Sequence, residues 1–280
     1  MIITVDLGPR GYDVIIESGA RHRLSAVVAT RAPRARAAVV VTTEALVGRP
    51  WFDVTTGLSE RVVTVPDGEA AKTPSGLAGL VDELAAAGLS RDDVVVAAGG
   101  GALTDLVGFA AAVYRRGVAV IHVPTTLVGQ ADAAIGGKSA VNLTRGKNLM
   151  GVVHQPVGVL CDLDTLATLA PRELRSGLAE VAKCWILESR AASAVAATGL
   201  EERVAVAAAL KAAIVSDDEH ESGRRALLNY GHTLAHAMEA LARERGDDLR
   251  HGEAVAVGLA FAPRLARSLG SVDDRVVAEH

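Results

Sequence analysis

Aromatic side chains are scarce in this 280-residue sequence: Phe, Tyr and Trp together make up 3 % of it. That leaves few platforms for stacking nucleobases. A formal charge of −4 and a pI near 6.1 likewise offer no basic face to nucleic acid or to an anionic membrane. Cysteine is rarer still. Cys161 and Cys184 are too far apart for a CxxC motif and too few for a disulfide scaffold, so both are read as reduced and intracellular. No apolar run approaches the ~20 residues of a membrane span. The opening stretch MIITVDLG lacks the basic and apolar regions of a signal peptide. The expectation is a soluble, cytoplasmic protein with no nucleic-acid or membrane partner.

What is plentiful is apolar. Half of the residues are hydrophobic, enough for a sizeable core in two domains or in one large α/β domain. The first half alternates short β-branched runs with helical patterns. AAVVVTT (37–43), VVTV (62–65), DVVVAAGGG (93–101), VAVIHVP (118–124) and VGVLCD (157–162) predict buried strands. PSGLAGLVDELAAAG (74–88) and LTDLVGFAAAVYRRG (103–117) predict helices closed by Gly88 and Gly117. Strands alternating with helices imply βαβ units and a parallel sheet. After about residue 163 the β signal fades and the patterns are helical. Residues 1–163 are therefore expected to form an α/β domain and 164–280 a helical one, with a wide cleft between them.

Four stretches carry candidate chemistry. In VVVAAGGGALTDLVG, Gly99, Gly100 and Gly101 stand between a strand and a helix, where backbone can approach a phosphate and the helix dipole favours an anion. This is not the GxGxxG fingerprint, and a tight turn with no ligand remains the alternative. Asp105 is expected in the first turn of that helix, as a dipole-favoured acid or a cofactor contact. Residues 123–151 read as a long functional loop anchored by Leu127, Val128, Ile135, Val141 and Leu149. Its Asp132, Lys138, Asn142, Lys147 and Asn148 suit an anionic, phosphorylated small substrate or, more plainly, a solvated surface. In RELRSGLAEVAKCWILES, Leu174, Leu178, Val181 and Trp185 form an apolar stripe, and Glu180 and Lys183 share another face. These two are an ordinary ion pair, or a metal ligand beside an acid–base group. Finally, His232 and His236 are one helical turn apart and His251 follows nearby. Spacing alone makes the first two the metal pair, although Thr233 stands where the HExxH glutamate would be.

Taken together, GGGALTDLVGF, YRRG, VPTTL, DAAIGGKSAVN, GKNLMG, RSGLAEVAK, LNYGHTLAHA and HGEAVAVG, in this order over about residues 60–270, closely resemble the 3-dehydroquinate synthase family of sugar phosphate cyclases. The resemblance implies a Rossmann-like NAD-binding α/β domain with a second, all-helical metal- and substrate-binding domain. It revises the metal set to Glu180, His232 and His251, holding zinc or else cobalt, and makes His236 a polar catalytic group. Asp132 and Lys183 match residues flanking the reacting hydroxyl. Lys138, Lys147, Asn148, Lys211, Arg225 and Asn229 match residues around the substrate's anionic groups, and Arg116 matches an arginine that reaches a neighbouring subunit's site in a homodimer. Asp67, Glu69, Lys72, Gly99, Gly100, Gly101, Asp105, Thr125 and Thr126 match the NAD site, which Lys138 and Lys147 also border. The family often has an acid for the adenosine ribose where this chain has Thr43, with Glu44 beside it.

The implied reaction turns a seven-carbon phosphorylated keto-acid sugar (DAHP) into 3-dehydroquinate with loss of phosphate, a step toward aromatic amino acids on the shikimate pathway. NAD serves there as a recycled oxidant: a transient ketone acidifies the neighbouring C–H, phosphate leaves, the hydride returns and an aldol step closes the ring. Alternatives are an aminodehydroquinate synthase, another cyclase of secondary metabolism, or a metal-dependent polyol dehydrogenase of related fold. The last residues, APRLARSLGSVDDRVVAEH, end one helix and start another at Val276 and Val277, so the helical half is expected to be truncated. Relatives continue and carry a further substrate lysine, whereas Lys211 is the last lysine here, which leads us to expect weak turnover.

Overall fold

The computed structural model describes residues 1–280. The chain opens with two strands that the hydrophobic pattern did not announce, β1 (Ile2–Val5) and β2 (Tyr12–Glu17). β1 is a short edge strand buried fully only at Val5, so it carries almost no alternation to read. Helix α1 (Leu24–Arg31), also unannounced, leads to β3 (Ala37–Thr43), the short α2 (Glu44–Val47), β4 (Ser59–Val65), α3 (Pro74–Ala86) and β5 (Val94–Gly99). Val39–Val41 and Val94–Val96 are wholly buried, as continuous β-branched runs in a parallel sheet covered on both faces should be.

Helix α4 spans Gly101–Val113 rather than 103–117. It begins at the glycines because Gly100, extended at φ −73° and ψ 177°, already serves as its N-cap. Its expected last turn is a separate 3₁₀ turn, Tyr114–Arg116, where Arg115 and Arg116 take positive φ before Gly117. Asp105 consequently lies in the second turn of the helix, not the first.

After β6 (Ala119–Pro124), the stretch expected to be a long loop is largely ordered. It contains a π-helical turn, Gly129–Ala133, and an antiparallel hairpin of β7 (Lys138–Leu143) and β8 (Gly146–Val153). Leu127, Ile135 and Val141 anchor it as expected, but Leu149 is 64 % exposed. β8 lies almost entirely in solvent, so burial leaves no period of two in its sequence. Strand β9 (Gly158–Asp162) completes the main sheet, in the order β1-β2-β9-β6-β5-β3-β4, parallel except for β1 against β2.

From β3 the chain goes outward to β4, then crosses to β5 and β6 on the other side. This reversal opens a crevice at the carboxyl ends of β3 and β5, the place where open parallel sheets take ligands. Beyond β9 every further element is helical: α5 (Pro171–Leu187), α6 (Leu200–Asp217), α7 (His232–Arg245), α8 (His251–Ser268) and α9 (Asp274–Glu279). Val181 and Trp185 of α5 are buried, with Leu174 and Leu178 packed beside them on α6, β2 and β9. The opposite face of α5 is thereby turned toward α7 and α8. There α8 comes so close that a Cβ on Gly252 would lie 1.8 Å from the carbonyl oxygen of Ser176, and the Gly252 N–H donates to Ser176 Oγ at 3.0 Å.

Candidate functional site

A cleft of about 1530 Å³ runs between the carboxyl edge of the sheet and helices α5–α8. At one end are Thr43, Gly100, Gly101, Asp105 and Thr126; at the other are His232, His236 and His251. The three glycines divide their work. Gly99 is buried, and a Cβ there would strike Leu103 at 2.3 Å, so it is a packing glycine. Gly100 and Gly101 line the cleft, with a Cβ on Gly101 only 2.9 Å from Ala133. Thr43, at the end of β3, is buried and its hydroxyl has no partner. Lys72 is buried between two acceptors, Asp105 Oδ2 at 2.5 Å and Asn148 Oδ1 at 2.6 Å. Burial outweighs Lys72 and pushes the Asp105 carboxyl up to about 6. Asn142 donates to Glu69, and Asp67 and Thr125 complete this end.

The middle of the cleft is crowded with charge. The π-helical turn holds Asp132 against Lys211, which donates to its carboxylate and, at 2.5 Å, to its backbone carbonyl. Lys183 Nζ lies 3.8 Å from Asp132 and 2.5 Å from Glu180. Burial alone would raise the Asp132 carboxyl, but the two lysines outweigh it and bring it down to about 2. Lys183 is buried too, yet Asp132 and Glu180 raise its ammonium, so it stays charged. Arg225, 1 % exposed, donates to the carbonyls of Glu219 at 2.5 Å and Gly136 at 2.7 Å. Lys138 and Asn229 both donate to Glu221, at 2.5 and 2.9 Å.

At the far end, Glu180, His232 and His251 present one ligand atom each within 4.8 Å of one another. Glu180 Oε1 is 3.0 Å from His251 Nε2 and 3.5 Å from His232 Nε2. Glu180 is fully buried. Burial opposes its ionisation, but Lys183 and the two imidazoles hold it well below the usual carboxylate range. His251 is raised to about 10, because Glu180 and Glu239 outweigh its burial. The i,i+4 geometry does put His236 beside His232, with ring centroids 5.4 Å apart, but His236 lies outside the triad. Burial, then the neighbouring His232, lower its pKa and leave it neutral.

Most residues singled out in the sequence therefore meet in one place. Glu180 and Lys183 lie beneath the cleft floor, and Gly99 beneath its glycine turn. Arg116 is the exception: it is exposed at the far end of α4, ~20 Å along that helix from the glycines. Two acids went unnoticed. Glu239 bonds Lys147 at 2.8 Å, and Glu221 holds Lys138 and Asn229. Helical spacing could have found the first, since Glu239 falls three and seven residues after His236 and His232.

Residues 62–176 match the family profile described as 3-dehydroquinate synthase N-terminal, and residues 177–280 the corresponding C-terminal profile. A protein of Amycolatopsis mediterranei (strain S699), assigned provisionally as an aminodehydroquinate synthase, is 48 % identical over 99 % of this chain and 76 % of its own length. The 3-dehydroquinate synthase of Cutibacterium acnes is 47 % identical over 95 % of this chain and 76 % of its own. Among solved structures, 2-deoxy-scyllo-inosose synthase complexed with carbaglucose-6-phosphate, NAD+ and Co2+ superposes with a TM-score of 0.82 at 26 % identity, covering all of this chain and 79 % of that one. The 2-epi-5-epi-valiolone synthase of Streptomyces hygroscopicus subsp. jinggangensis, with NAD+ and Zn2+ bound, gives 0.79 at 30 % identity over 96 % and 78 %. By sequence profile, by relatives and by fold, the chain belongs to the 3-dehydroquinate synthase family.

Proposed function

We propose that this chain is an NAD- and metal-dependent cyclase that converts DAHP to 3-dehydroquinate with loss of phosphate. The observation that carries the reading is the meeting of two sites in one cleft. A glycine-lined crevice at the β3/β5 reversal faces a carboxylate-and-two-imidazole cluster, with Asp132, Lys183 and Lys211 between them. The residues fit both groups. The unpartnered Thr43 hydroxyl and the close backbone at Gly100 and Gly101 suit a dinucleotide. One carboxylate and two imidazoles from three helices suit zinc or cobalt with positions left for substrate oxygens. When bound, the dinucleotide supplies a reversible two-electron acceptor and the metal a Lewis acid.

The chain's own groups supply positioning and charge. Lys211 and Lys183 keep Asp132 ionised, so that its carboxylate can accept a hydrogen bond from a substrate hydroxyl. Neutral His236 can accept a proton nearby and pass it on. Lys138, Lys147, Asn148, Arg225 and Asn229 offer donors to phosphate and carboxylate oxygens. The division into an NAD half, 1–163, and a metal and substrate half, 164–280, follows from this assignment. A reducing, cytoplasmic setting suits the two free cysteines. The second reading is the amino analogue of DAHP as substrate, favoured by the 48 % identical relative.

Because the hydride returns in each cycle, turnover should release phosphate without a matching rise in NADH absorbance. Stoichiometric NADH would instead indicate a dehydrogenase. We also propose a homodimer, since Arg116 is exposed and does not line its own cleft. Mixing inactive Arg116→Ala and Lys183→Ala chains should restore up to about a quarter of wild-type activity through heterodimers with one intact site. No recovery despite demonstrated subunit exchange would mean each site is built from one chain.

A further inference from the structure

Glu239 is a buried carboxylate on α7 that the reaction outlined above does not use. Its Oε1 lies 3.4 Å from His251 Nδ1, while Nε2 of the same ring is 3.0 Å from Glu180 Oε1. That same Oε1 is 2.8 Å from Nζ of Lys147 on strand β8. Burial opposes its ionisation, but His251 and Lys147 bring its pKa down to about 2.

The two imidazoles of the triad are thus held at their remote nitrogens by different means. His232 Nδ1 is 3.2 Å from the carbonyl of Tyr230, two residues back in its own chain. His251 is the first residue of α8 and faces a carboxylate from another helix instead. A ligating histidine needs such a partner to fix its tautomer and ring orientation, and a carboxylate also makes the other nitrogen a stronger donor.

We propose that Glu239 is a positioning residue for the metal site: it accepts from His251 Nδ1–H, aims Nε2 at the ion, and through Lys147 ties the β7–β8 hairpin to that ligand. The hairpin also carries Lys138, Asn142 and Asn148, so the substrate-facing strand and the metal end of the cleft share one carboxylate. This inference rests on the metal reading of Glu180, His232 and His251.

The test is metal affinity rather than activity. The metal-free protein is titrated with Co2+, followed by its d–d absorption, and with Zn2+ by competition. Glu239→Gln should weaken the Kd by about 10- to 100-fold. Lys147→Met should leave it near the wild-type value. Glu239→Gln also removes the contacts to Lys147 and His251, so the melting temperature of the metal-free protein should fall in either case; a merely structural role would show that fall alone, with the Kd of the folded protein unchanged. Should Glu239→Gln fail to fold, Glu239→Asp keeps the charge with a shorter reach and should still bind more weakly than wild type. An unchanged Kd in whichever variant folds overturns the proposal while leaving the metal site intact. A wild-type protein that binds neither ion overturns the metal reading and this inference with it.

Discussion

His251→Ala should lose its metal, and His236→Ala should keep it. Removing His251 takes away one of three protein donors; at about 3 kcal/mol per ligand, the affinity falls by roughly 100-fold or more. His236 lies outside the cluster that Glu180, His232 and His251 form, so its loss leaves the donor set complete. It is nevertheless a neutral imidazole lining the cleft, and losing such an acid–base group costs about 100-fold in turnover. The two variants should therefore separate: one poor in metal, the other metal-loaded and slow. Elemental analysis of both proteins decides it. Equal metal loss would mean that the pair one helical turn apart is the binding site after all.

Gly252→Ala should be among the most damaging single substitutions in the chain. Its methyl would lie 1.8 Å from the oxygen and 2.5 Å from the carbon of the Ser176 carbonyl, both backbone atoms within a helix. No side chain can turn aside to relieve the clash, so α8 must move away from α5. Ser176 is one turn before Glu180, and Gly252 follows His251 directly, so the same movement pulls two metal donors apart. Overpacking of this kind costs about 3 kcal/mol. The denaturant midpoint should fall accordingly, with weaker metal binding in whatever fraction folds. An unchanged midpoint would mean that the two helices are not locked at this contact.

How much of this was legible in the sequence depended on burial. The valine runs of β3 and β5 announced themselves because parallel strands covered on both faces are apolar throughout. The helix bearing Glu180 and Lys183 was readable from the stripe through Val181 and Trp185. Strands β1 and β8 were not, because an edge strand and a solvent-exposed hairpin strand bury too little for a period of two to emerge. Spacing misled at one point. His232 and His236 are neighbours on one helix, yet the atoms that converge on Glu180 come from His232 on α7 and His251 on α8, helices that meet where Gly258 packs against the carbonyl of Gly231, a contact that no local pattern records. The family resemblance supplied that pairing. Glu221 was missed because a lone glutamate in a turn looks like any solvated acid until its partners from distant segments are known, whereas Glu239 shares the histidines' face of α7 and only its pairing with Lys147 was out of reach.

DAHP cyclisation is tested most directly by identifying what the purified protein makes from DAHP in the presence of NAD+ and Zn2+ or Co2+. One equivalent of phosphate and a carbocyclic 3-dehydroquinate product are expected by nuclear magnetic resonance, abolished by chelating the metal and restored on adding it back. Phosphate release faster from the amino analogue than from DAHP would reassign the substrate within the same chemistry. Fully metal- and NAD+-loaded protein that leaves both compounds uncyclised would mean that the chain is not a cyclase of this kind.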